Sequence, residues 1–227
     1  MRRTESSLSG IAAAVLTVAG IFMLISVEAD TKTDDELLSH YADSGNRAGE
    51  IVGFVLVAIG AGFFLWFVSA LRSRLRSAEP EPRTLSTLGF GAGVAAAGLT
   101  VSAAAILVGV SFTAEISDHF EVDPDAARLA VSTGYVFLLG SSLVNCVLVA
   151  TTSVLILRSE ILPRWMGWVG FAFIVLAIVE MFLLPVLVIP AWIVVVSLVS
   201  MTRSSARNGG SGQESETPAP NEPVAAS

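Results

Sequence analysis

The sequence predicts an all-α protein, a polytopic membrane helical bundle of about six transmembrane helices with both termini in the cytoplasm. Three observations carry that prediction. Long apolar runs recur along the chain, only 15% of the 227 residues are charged with a mean hydropathy of +0.73, and the basic residues gather on alternate connecting segments. A soluble domain carries about 25% charged residues. A helix rising about 1.5 Å per residue needs roughly 20 apolar residues to cross a ~30 Å hydrocarbon core. Unbroken apolar runs are not the alternating pattern of barrel strands, so helices are required.

Residues 1–8 form a short N-terminal segment, 9–201 the transmembrane domain and 202–227 a tail. The first two expected spans, 9–27 and 51–71, hold no charge. The third and fourth, 88–112 and 129–157, exceed the minimum length and leave room for tilt. From Trp165 to Met201 the chain is apolar except for Glu180, too long for one span and just long enough for two. Pro185 is the natural break, which divides it into spans at 165–184 and 186–201. The tail is rich in Ser, Gly, Pro and Glu and cannot bury enough surface to offset chain entropy, so it is expected to be disordered.

Orientation follows from the arginines. Arg2 and Arg3, Arg72 to Arg83, Arg158 and Arg164, and Arg203 and Arg207 place ten of thirteen basic residues on one side, the signature of the cytoplasmic face. The opposite loops, 28–50 and 113–128, are acidic and are expected outside. Arg2-Arg3, the apolar run and Val27-Glu28-Ala29 resemble a cleavable signal peptide, but the run is long for one and reads better as a retained helix. The one cysteine, Cys146, excludes an intramolecular disulfide.

No catalytic constellation is present. Cys146 has no nearby His in sequence, and no Gly-x-Ser-x-Gly occurs. The intramembrane functional candidates are Glu180 and Asn145. Glu180 is the one ionisable group inside an apolar span, where a charge costs ~3 kcal/mol or more, although it lies near the outer end of its helix. Asn145 sits mid-span among Ser141, Ser142, Thr151, Thr152 and Ser153, where polar groups either bond neighbouring helices or line a water path. His40 and His119, each beside acids in an outer loop, are metal candidates only if those loops converge, so no metal site is assigned. Gly89 and Gly93 on span three, with Ala97, and Gly167 and Gly170 at the start of span five, are small residues suited to close helix packing. The offset series Gly91, Ala95 and Leu99 is small only at first. Asp34 to Tyr41 reads as a short amphipathic helix with Leu37, Leu38 and Tyr41 on one face.

The stretch Pro163-Arg164-Trp165-Met166-Gly167-Trp168-Val169-Gly170 resembles the start of the fifth helix in a widespread family of uncharacterised bacterial six-helix membrane proteins, a domain of unknown function. Tyr41-Ala42-Asp43-Ser44-Gly45-Asn46-Arg47 is similar to a segment many members carry between helices one and two. The resemblance implies the six-span topology and no particular activity.

The expected function is that of a non-enzymatic component of the bacterial cytoplasmic membrane, acting by interaction, regulation or association with the envelope. A small transporter or channel using Glu180 and the polar residues of span four is the first alternative. A membrane enzyme or metal-binding protein using His40 and His119 is the second. No cofactor is implied. The expected partners are the lipid bilayer and a second copy or another membrane protein, and nothing points to nucleic acid.

Overall fold

The computed structural model describes residues 3–25, 33–77, 79–117, 119–159, 163–180 and 190–197, without the side chains of 3–7, 179 and 180. Among them the only regular structure is helix: α1 (Arg3–Leu24), α2 (Asp34–Ala42), α3 (Ser44–Arg76), α4 (Thr84–Ile116), α5 (Pro124–Arg158), α6 (Arg164–Glu180) and α7 (190–197). The tail, the break expected at Pro185 and the side chain of Glu180 lie outside the described residues.

Three helices, α3, α4 and α5, are long and apolar enough to cross a membrane, while Leu8–Leu24 and Arg164–Ile178 are shorter apolar helices. The long three have 33, 33 and 35 residues and overrun their apolar runs at both ends. Hydropathy marks where a helix turns apolar, whereas caps decide where it stops. Asp43 accepts the N–H of Gly45 at 2.6 Å and starts α3, and Asp123 accepts that of Asp125 at 3.0 Å ahead of α5, with Pro124 in the first turn. Arg83 precedes α4 in the left-handed conformation (φ 52°) without capping it. Glu79 does so from the connecting loop, its carboxylate accepting the N–H groups of Leu85 at 2.7 Å and Ser86 at 2.9 Å.

Neighbouring helices run antiparallel and approach through small residues. A Cβ added to Gly20 would lie 2.5 Å from the carbonyl oxygen of Gly53, and one added to Gly53 would lie 2.8 Å from that of Gly20, so α1 and α3 meet backbone to backbone. Gly93 faces Val68 and Gly89 faces Thr151, where a Cβ would sit 2.7 and 2.6 Å from the nearest side-chain atom. These two glycines seat α4 against α3 and α5. Gly167 lies against Leu157 and the Ser153 carbonyl, and Gly170 against the Ser153 side chain, which seats α6 on α5.

Buried residues on α5 follow alternating steps of four and three: Ala127, Val131, Gly134, Leu138, Ser141, Asn145 and Leu148. That is the seam of a left-handed bundle. The seam feeds two apolar clusters. One holds Leu24, Leu37, Tyr41, Val57, Leu107 and Leu138 at the α2 end, and the other holds Phe64, Phe67, Leu148, Met166, Trp192 and Val196 toward the far end. Outside, large apolar side chains such as Phe22, Ile59, Trp66, Val136 and Trp168 are exposed, while Gly, Ala, Ser and Thr fill much of the interior. A surface more apolar than its own seams suits lipid rather than water.

Glu79 ties the α3–α4 connection to pH. Desolvation works against its charge, but hydrogen bonds from Ser86 and Leu85 and the nearby Arg83 hold its carboxyl below the ordinary 4.5. Its stabilisation is therefore complete above 4.5 and is lost as pH falls through the lower folded value. Heat unfolding in detergent should show wild type losing more stability than Glu79→Gln as the pH drops below that point.

Candidate functional site

Between the two apolar clusters the seam turns polar. Thr17 of α1, Thr100 of α4, and Ser141, Ser142 and Asn145 of α5 line a half-open cavity of ≈ 80 Å³, together with Ala97, Leu138, Pro190 and Ile193 among others. Thr100 donates to the Ala96 carbonyl at 3.0 Å, as does Ser141 at 3.0 Å, and the two hydroxyl oxygens stand 2.7 Å apart. Asn145 is 8% exposed, and its Oδ1 has no hydrogen-bond partner among the described residues. A buried amide oxygen left without a donor costs about 1–3 kcal/mol.

The remaining polar residues of α5 are used differently. Thr151 returns its hydroxyl to the carbonyls of Val147 and Leu148, at 2.9 and 3.0 Å. Thr152 and Ser153 are buried but do not line this cavity.

A second polar cluster closes the α2 end. Glu50, one residue before the apolar run of α3, is only 2% exposed. Its Oε2 accepts the Ser111 hydroxyl at 2.6 Å, and its Oε1 lies 2.9 Å from Nε2 of His40. The His40 ring meets Tyr41 edge to face at 5.3 Å. Burial, reinforced by the charge of Glu50, pushes the Tyr41 phenol well above its ordinary range.

The helix that carries His40 is short and held from both ends. Thr33 and Glu36 form a reciprocal capping box at its start. At its end Arg47 donates to the carbonyls of Tyr41 and Ala42, and Asn46 to that of His40. Nine residues could not hold a helix alone in water. Leu37 and Tyr41 anchor it by burying into the bundle, whereas Leu38, grouped with them from the sequence, is 39% exposed. Ion pairs complete the cap, Arg128 to Asp34 at 2.6 Å and Arg47 to Glu115 at 2.8 Å.

The residues singled out from the sequence thus fall in separate places. Asn145 joins the cavity, and His40 turns inward to Glu50. His119 is exposed in the connection between α4 and α5, and no group of three His, Cys, Asp or Glu able to hold a metal occurs among the described residues. Glu180 is the last residue of α6, and Arg128 is engaged by Asp34 and Asp125. Glu50, Ser111, Thr17 and Thr100 escaped the sequence reading. Their signal was register: Glu50 stands seven residues before Val57 and Ser111 seven after Ala104, both on buried seams.

Removing the Ser111 hydroxyl leaves one oxygen of a buried carboxylate without its donor. Ser111→Ala should therefore lower unfolding stability by about 1–3 kcal/mol and raise hydrogen exchange across residues 34–42. Ser102→Ala, on the exposed face of the same helix, should do neither. No family model, curated protein or solved structure matches the chain.

Proposed function

We propose that the chain is a six-span protein of the bacterial cytoplasmic membrane, with both termini in the cytoplasm, and that it works as a small transporter or channel for a small polar species. The observation that carries this reading is the half-open polar cavity at mid-bundle, lined by Thr17, Thr100, Ser141, Ser142 and Asn145 from three helices. Each polar group placed there weakens apolar packing and brings a modest interhelical bond at most.

The topology rests on the distribution of charge about the bundle. Arg72, Arg74, Arg76, Arg83, Arg158 and Arg164 stand at the end opposite α2, where α3 and α5 finish and α4 and α6 begin. Such an end belongs in the cytoplasm. The likeness of residues 163–170 to bacterial six-helix membrane proteins speaks for the same count of spans.

Reconstitution in proteoliposomes tests the activity. Osmotic water flow, proton flux and monovalent-cation flux should include at least one that exceeds empty vesicles and falls about tenfold or more in Asn145→Leu. Glu180→Gln, measured in parallel, reads whether that acid shares the path. A wild type that passes none of these overturns the reading.

One feature supports a second reading, in which the protein acts by association. On α4, Gly91, Ala95, Gly98, Ser102 and Ala105 repeat at steps of four and three and are all exposed. A Cβ at Gly91 or Gly98 would meet nothing within 4 Å, so packing inside the chain does not explain these glycines. Small faces of this spacing let two membrane helices approach closely. If a second copy docks there, Gly98→Leu should weaken dimerisation in detergent about tenfold or more, read by light scattering across a dilution series.

A further inference from the structure

We propose that Arg72, stacked on Phe90, docks the phosphate of an anionic phospholipid at the arginine-rich end of the bundle. The site lies apart from the mid-bundle cavity and shares no residue with it. Arg72 stands one residue past the apolar run 51–71, where a spanning helix leaves the hydrocarbon for the headgroup layer. Its guanidinium carbon lies 4.7 Å from the centre of the Phe90 ring, so α4 holds in place a long side chain of α3.

That guanidinium lacks an anion. Among the described residues Arg72 makes no hydrogen bond and no ion pair, whereas Arg47 and Arg128 at the other end are each bound to an acid. The carboxylate nearest to it in sequence, Glu79, is taken by the N–H groups of Leu85 and Ser86. Nε of Arg72 is enclosed without an acceptor, so the two terminal nitrogens are the ones left to meet a partner. Parallel N–H groups on a planar fork match the oxygens of a phosphate.

Space and exposure favour a lipid over a free metabolite as the bearer of that phosphate. The cleft lined by Arg72, Leu75, Ser86 and Phe90 encloses only ≈ 10 Å³, far below the ~300 Å³ of an organic-ligand pocket, so the partner lies on the surface. Ser69 and Leu65 precede Arg72 on the same stripe of α3, and both are exposed. An acyl chain can run down that stripe while its phosphate meets Arg72 at the interface. Charge points to the same partner. Within residues 72–83 and 158–164 the arginines outnumber Glu79, Glu81 and Glu160, and such an end draws anionic lipid.

Heat unfolding of the full chain in a neutral detergent tests the site. The probes are dioleoylphosphatidylglycerol and dioleoylphosphatidylcholine added to the micelles, with glycerol 1-phosphate as the phosphate that carries no acyl chain. Phosphatidylglycerol should raise the Tm saturably, by about 5–10 °C at a hundredfold excess over half-saturation, and well beyond any rise with phosphatidylcholine. Arg72→Gln should remove that excess, while Arg164→Gln, at an exposed position of the same end, should keep it. Phe90→Leu removes the stacking face and should raise the half-saturating lipid concentration about threefold, which decides the matter if Arg72→Gln does not fold. Equal rises with the two lipids, an excess that persists in Arg72→Gln, an equal loss in Arg164→Gln, or an unchanged half-saturation in Phe90→Leu would overturn the site. A full rise with glycerol 1-phosphate alone would overturn the lipid as its occupant.

Discussion

The α1–α3 contact at Gly20 and Gly53 sets the spacing on which the rest of the bundle is built. With no side chain between them, the two backbones come so close that a methyl group on either would strike the other's carbonyl. That approach brings Thr17 against Gly60 and Gly10 against Phe67, and it draws the seam of α3 toward its next neighbour, α4. Helices in lipid gain little from hiding apolar surface from one another, because hydrocarbon is apolar already. Contact area and close approach hold them together instead. Small residues accordingly sit at the points of closest helix approach, while large apolar side chains fill the two core clusters and also cover the outer surface.

Against that background the polar layer stands out. Between the two apolar clusters, at the depth of Thr17, Thr100, Ser141 and Asn145, hydroxyl and amide groups converge from three helices. Their bonds to one another and to Ala96 meet part of the demand, and the Asn145 oxygen is left over. At the α2 end the same economy takes another form. Glu50 is buried with a hydroxyl on one oxygen and an imidazole on the other, and the helix bearing that imidazole is anchored by Leu37 and Tyr41. A buried carboxylate is tolerable only with such company.

Much of the fold was legible because apolar runs are long-range averages that local detail does not disturb. The stretches 51–71, 88–112 and 129–157 each fall inside a long apolar helix. The ends were not legible, since Asp43, Asp123 and Glu79 set them by single hydrogen bonds outside the hydrophobic pattern. Asn145 was visible as a mid-span amide, but its cavity depends on Thr17 and Thr100, far away in sequence. Glu50 was hidden for a different reason. It belongs to an acidic loop by composition, and only the register of α3 and the return of α2 turn it inward. Of the two series on α4, the one that is small throughout, Gly89, Gly93 and Ala97, is the one that faces its neighbours, where Gly93 meets Val68 and Gly89 meets Thr151.

The cap over Glu50 also carries a consequence for the order in which the chain is made. Its partners arrive late: Ser111 is 61 residues downstream, Glu115 lies 68 beyond Arg47, and Arg128 follows Asp34 by 94. A nascent chain that has delivered only α1 to α3 holds a carboxylate at the rim of an apolar helix with no hydroxyl to meet it. The first hairpin therefore waits in an unfinished register, with Glu50 kept in water, until the far ends of α4 and α5 emerge. Completion of the cap is thus a late event in assembly, one that reports the arrival of the fifth helix to the first loop.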